Sequence, residues 1–140
     1  MKIRLMLIFV MIFLIFVLGC ENNKVIINGK QINVEIADND EEMTKGLMFR
    51  RELGENKGML FIFEDSGSRT FWMKNTLIPL DIIFISEDFK IINIEKAEPC
   101  KLEPCKLYHS TDKARYVLEV NKGFTERKKI NPGDLVEIKI

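Results

Sequence analysis

The 140-residue chain has a single histidine, and this scarcity bears first on catalysis. A serine or cysteine nucleophile needs an activating base within hydrogen-bond reach. His109 has only Ser110 beside it, and adjacent residues rarely form a relay. An excess of positive charge is also lacking, since 21 Lys and Arg stand against 21 Asp and Glu. Nucleic-acid binding draws on a strongly basic face and is not expected. Gly58 and Gly67 belong to no phosphate-cradling pattern. Repeats and low-complexity segments are absent beyond the apolar N-terminus, and no βαβ alternation suggests a doubly wound sheet.

What is present begins with Met1-Lys2-Ile3-Arg4, two positive charges ahead of an uncharged apolar run over residues 5–18. This layout reads as a signal peptide. As a helix the run would be about 21 Å long, short of a hydrocarbon core of about 30 Å. It ends at Val17-Leu18-Gly19-Cys20, which resembles a lipobox, the motif after which a bacterial lipoprotein is cleaved and its cysteine acylated. The expectation is a signal over 1–19, a lipidated Cys20 with a tether over 20–23, and one domain over 24–140. That domain would sit on the extracytoplasmic face of the cell membrane with membrane lipid as its anchor partner. An uncleaved helical anchor or an ordinary cleaved signal is the alternative, and either also exports the domain. Loss of Lys2 and Arg4 leaves 19 basic against 21 acidic side chains, a net charge of −2.

Once Cys20 is assigned to the anchor, Cys100 and Cys105 remain, and in an oxidising compartment a close even pair reads as a disulfide. Closing so short a loop stabilises a fold by about 2 kcal/mol on the chain-entropy model.

Along the domain, β-branched stretches over 24–27 and 31–36 flank Asn28-Gly29, a strong hairpin signal. Asp38 or Asn39 can cap a helix with Glu41 and Glu42 in its first turn. Met43, Leu47 and Met48 share one face of that helix, and Gly46 permits close approach. Strand patterns follow over 59–63, 70–74, 80–85, 89–94, 116–120 and 135–140. A short helix is expected over 123–130 and a turn at Asn131-Pro132-Gly133-Asp134. Seven or eight short strands with one or two short helices predict a mainly β domain, a small closed or half-closed barrel.

Several blocks then carry a family resemblance: Gly46-Leu47-Met48-Phe49-Arg50; Gly58-Met59-Leu60-Phe61-Ile62-Phe63; Phe71-Trp72-Met73-Lys74-Asn75-Thr76 with Ile78-Pro79-Leu80-Asp81-Ile82; and Tyr116-Val117-Leu118-Glu119-Val120 with Gly123. Over residues 24–140 the chain resembles domain-of-unknown-function family 192. The resemblance implies a small, often exported or membrane-tethered domain and no activity.

Arg50, Lys74, Asn75, Thr76, Asp81 and Glu119 are the polar residues inside these blocks. A charge beside a core must be paired or solvated in a cleft. In one arrangement Asp81 and Glu119 pair with Arg50 or Lys74, while Asn75 and Thr76 hold a turn before Pro79. In the other, Trp72 floors a cleft where Arg50, Lys74, Asn75 and Asp81 gather around a small polar or anionic ligand. Three further chemistries stay open. Cys100, Cys105 and His109 offer ligands to zinc. Met43, Met48, Met59 and Met73 are soft enough for copper(I), although such methionines usually pack cores. Asp81 and Glu119 could form the acid and base of a glycan-cleaving site. No cofactor and no catalytic residue is assigned. The function expected is a ligand-binding or accessory module at the cell surface.

Overall fold

Asn28 and Gly29 both take positive φ, 50° and 73°, and close the expected two-residue hairpin between β1 (Lys24–Ile27) and β2 (Lys30–Ala37). This computed structural model describes residues 23–140. The expected signal, Gly19 and Cys20 lie outside the described residues. After β2 come α1 (Asp40–Lys45), β3 (Lys57–Gly67), β4 (Thr70–Trp72), β5 (Leu80–Ile85), β6 (Ile91–Ala97), β7 (Leu107–His109), β8 (Ala114–Asn121), α2 (Phe124–Lys128) and β9 (Val136–Lys139). The fold is mainly β, as expected, with nine strands among the described residues. No helix among the described residues is long and apolar enough to cross a membrane.

Seven strands form one sheet in the order β6-β5-β8-β3-β2-β1-β9, and β4 and β7 form a separate ribbon. The sheet curls until its two edges meet. An antiparallel bridge joins Lys90 to Leu135. Ile91 N–H donates to the Asp134 carbonyl at 3.0 Å, and Val136 N–H to the Phe89 carbonyl at 2.9 Å. The result is a half-barrel drawn together at one end.

One connection departs from the sequence reading. β2 and β3 are parallel neighbours, and α1 lies between them in the chain, so the fold contains a βαβ unit that the pattern did not announce. The helix spans only six residues, too few to show a helical period. Its start is as predicted: Asn39 accepts from the Glu42 N–H at 3.0 Å. Gly46 ends the helix at φ 47°, where a Cβ would lie 3.3 Å from Phe61 Cζ, so α1 presses closely on the sheet.

Alternation along the strands sorts the apolar side chains into two cores. Inside the curl lie Val25, Ile32, Leu60, Ile83, Ile85, Leu118 and Val120, plugged by Phe124 at the head of α2. Outside it, Met59, Phe61, Leu80, Ile82, Phe84 and Val117 form a second apolar layer. This layer is covered by Leu47 after α1 and by Met73, Ile78 and Tyr108 of the ribbon region. Phe71 stands edge-on to Phe61 and Phe84, with centroids 5.0 and 6.0 Å apart. All six residues of β5 are buried because both of its faces are covered.

Candidate functional site

Asp81 and Glu119 show how the two cores treat acid. Asp81 belongs to the inner face, with Lys96 of β6 and Val120 of β8 directly across from it, and is fully buried. Its carboxylate accepts from the Gly123 N–H at 3.0 Å, the Thr125 N–H at 2.9 Å and the Thr125 hydroxyl at 2.7 Å. Lys96 Nζ adds an ion pair at 3.1 Å. Every lone pair has a use, and that use is to hold the start of α2 against the barrel.

Glu119 lies on the outer face, with Met59 of β3 and Ile82 of β5 directly across from it. It is only 5% exposed. Among the described residues its carboxyl has no hydrogen bond and no ion pair. Burial with no compensating charge pushes its pKa from the ordinary 4.5 up to about 8. It opens into a narrow cleft of about 40 Å³. Met43, Thr44 and Lys45 of α1, Gly46, Leu47 and Met48 after it, and Phe61, Phe71, Trp72 and Thr76 form the walls. All four blocks carrying the family resemblance converge here.

The expected ligand set is dispersed. Trp72 reaches the cleft and, at 46% exposure, stands at its lip rather than in the core. The strand period explains this: Phe71 and Met73 turn inward and Trp72 outward. Lys74 Nζ lies 5.3 Å from the Trp72 ring centroid and pairs with Glu103 at 3.1 Å. Asn75 takes φ 55°, and its carbonyl accepts from the Phe49 N–H at 2.8 Å, bracing the loops on either side of the mouth. Arg50 is committed to Glu35 through two bonds of 2.5 and 2.7 Å. That contact holds the Glu35 carboxyl below its usual range and raises Arg50. Asp81 projects to the other face of the sheet. The five residues therefore do not surround one concavity.

Two of the alternative chemistries lose their geometry. Cys100 and Cys105 are joined as the expected disulfide, so their sulfurs are not free for zinc, and His109 Nδ1 bonds to Thr70 Oγ1 at 3.0 Å. Asp81 and Glu119 cannot serve one glycosidic bond from opposite faces of a sheet.

Glu119 was weighed in the sequence only as an ion-pair member or as one half of that acid pair. The available signal was an acid inside Val117-Leu118-Glu119-Val120, an otherwise apolar strand. Met43, Met48, Phe61 and Phe71 carried no functional signal beyond core periodicity.

A curled β half-barrel with a buried acid, Glu119, at the base of a small cleft is the class of protein that emerges. The chain belongs to the DUF192 family, described as an uncharacterized ACR, whose model matches residues 23–138. It is similar to a Sinorhizobium meliloti 1021 protein provisionally assigned as a transcription regulator: 36% identity, TM-score 0.75, covering 84% of this chain and 92% of that one. It is also similar to a protein of unknown function from Novosphingobium aromaticivorans DSM 12444: 39% identity, TM-score 0.75, covering 83% of each chain. No curated protein matches.

Proposed function

We propose that this chain is a ligand-binding or accessory module held at the extracytoplasmic membrane surface, with the Glu119 cleft as its ligand site. The observation that carries the reading is the buried Glu119 carboxyl, without a partner among the described residues, at the base of a cleft whose lip is a half-exposed Trp72. A carboxyl buried without a partner lowers stability, and such residues persist where function needs them. Phe49 and Leu77, each next in sequence to a wall residue, are exposed at 65% and 53% and extend the apolar surface beside the mouth. The anchoring half of the reading is supported by the basic and apolar N-terminus that ends at Gly19-Cys20. The provisional regulator assignment of the S. meliloti neighbour gains no support from the even charge balance.

Replacing Glu119 with methionine in the full chain tests the ligand site. If the carboxyl is kept for a ligand, Glu119→Met raises the urea midpoint at neutral pH, by about 1 to 3 kcal/mol in stability. A fall in stability would mean that the fold itself needs the acid, and the reading would be wrong.

A further inference from the structure

Eight large apolar side chains stand exposed among the described residues, and five of them, Phe49, Trp72, Leu77, Leu102 and Leu107, belong to the region around the ribbon of β4 and β7. Trp72 and Leu107 are cross-strand partners, and both project from the ribbon's outer face while Phe71 and Tyr108 turn inward. The loop between β6 and β7 is stapled by the Cys100–Cys105 disulfide and fastened beside Trp72, since the Cys100 N–H donates to the Met73 carbonyl at 3.4 Å. Leu102, 85% exposed, stands within that staple. On the other flank the bond from the Phe49 N–H to the Asn75 carbonyl brings Phe49 to the loop that carries Leu77. Apolar surface gathered in this way marks a contact site, whereas single exposed residues do not.

The surroundings are basic. Residues 72–74 and 99–107 carry Lys74, Lys101 and Lys106 against one acid, Glu103. Glu103 is already paired with Lys74, which lies 5.3 Å from the Trp72 ring centroid. Lys106 stands over the Tyr108 ring at 4.8 Å, and neither it nor Lys101 has an ion-pair partner among the described residues. A half-exposed tryptophan and leucines flanked by lysines suit the head-group layer of a bilayer, where indole rings settle and ammonium groups reach anionic phosphates. The lysines argue for an anionic occupant, and the tether argues that it is lipid. β1 begins four residues after Cys20, a reach of about 14 Å when fully extended. A domain of this size is about 35 Å across. An acylated Cys20 therefore leaves it no room to stand clear of the bilayer, and one of its faces lies on the head groups.

We propose that the ribbon face, Trp72, Leu102 and Leu107 with Lys74, Lys101 and Lys106, rests on the anionic surface of the membrane that holds the chain. The inference rests on the anchoring half of the proposed function. Leu102 and Trp72 enter the head-group layer, and the lysines stay level with the phosphates. Trp72 also lines the Glu119 cleft, so the mouth of that cleft lies at the membrane surface.

Trp72 is the only tryptophan, so its emission reports on this face alone. The full chain, expressed in a bacterium and purified in detergent, is reconstituted with vesicles of phosphatidylcholine and phosphatidylglycerol, with or without bromine near the head-group end of the acyl chains. Co-flotation with the vesicles reads the anchor, and quenching by bromine reads the face. Expected is co-flotation with Trp72 emission lowered about twofold or more by bromine, as for an indole held at the interface. A Leu102→Glu, Leu107→Glu double variant, altered at two exposed positions, keeps the co-flotation and loses most of the quenching. Co-flotation without quenching in the parent overturns the proposal and leaves the anchor standing. So does quenching that is unchanged in the double variant when its circular dichroism matches the parent. Trp72 emission that shifts to the blue with protein density yet ignores bromine seats the face on a second copy and overturns the proposal as well. Failure to co-float overturns both the face and the anchor.

Discussion

Glu119 and Asp81 lie on neighbouring strands, one step apart in register, and project from opposite faces of the same sheet: Ile82 is the cross-strand partner of Glu119, and Val120 that of Asp81. This single step separates a structural acid from a candidate functional one. Asp81 is enclosed by donors from α2 and by Lys96. Glu119 has no hydrogen bond or ion pair among the described residues and opens into the cleft.

The first prediction concerns pH. Unfolded, Glu119 loses its proton near 4.5, whereas folded it keeps it to about 8, so between those values the folded state binds more protons. Its contribution to stability therefore falls as pH rises through that window and is level above it. At about 1.4 kcal/mol per unit, the total is on the order of a few kcal/mol. Glu119→Gln removes this slope. Urea unfolding at pH values across the window should show the variant gaining on the parent until about pH 8, and a constant difference would contradict the raised pKa. Glu35 acts in the opposite sense. Arg50 depresses its pKa, so the stability it contributes is present above the ordinary carboxylate range and is lost on acidification.

Asp81→Ala should cost about 3 to 5 kcal/mol, because it strands the Thr125 amide and the Lys96 ammonium in or beside the core. The start of α2 would loosen and Phe124 would lose its fixed seat in the barrel. Hydrogen exchange should show faster exchange of the amides of Gly123 and Thr125 before global unfolding is affected elsewhere. Retained protection at those two amides would contradict the role given to Asp81.

Gly58→Ala is expected to destabilise by about 1 to 3 kcal/mol through overpacking. A Cβ there would lie 2.6 Å from the Glu119 carbonyl oxygen and 3.1 Å from Val120 Cγ1. β3 and β8 would have to part beside the candidate site. Thermal unfolding checks the cost, and an unchanged midpoint would mean that the strands can separate freely.

The parts of the fold legible in sequence were those specified locally. Asn28-Gly29 announced its hairpin, Asp38-Asn39 the start of α1, and the run from Leu80 to Ile85 a buried strand. β7 escaped notice because three residues after a proline-rich loop carry no period. The site was half legible. Trp72 was singled out correctly as unusual, but its placement at a lip followed from the alternation of the ribbon and not from its size. Asp81 and Arg50 are charged residues embedded among apolar ones, like Glu119, and sequence could not tell which would find partners. That depends on β5 lying between β6 and β8, and on Arg50 meeting Glu35 of β2, relationships set by long-range pairing.

The first strand of the described domain pairs with the last, Lys24 opposite Lys139. The wall of the barrel therefore stays open at β1 until β9 arrives. The sheet cannot close before β9 docks on β1, a pairing across more than a hundred residues of sequence and so a slow, non-local step by the standards of small domains.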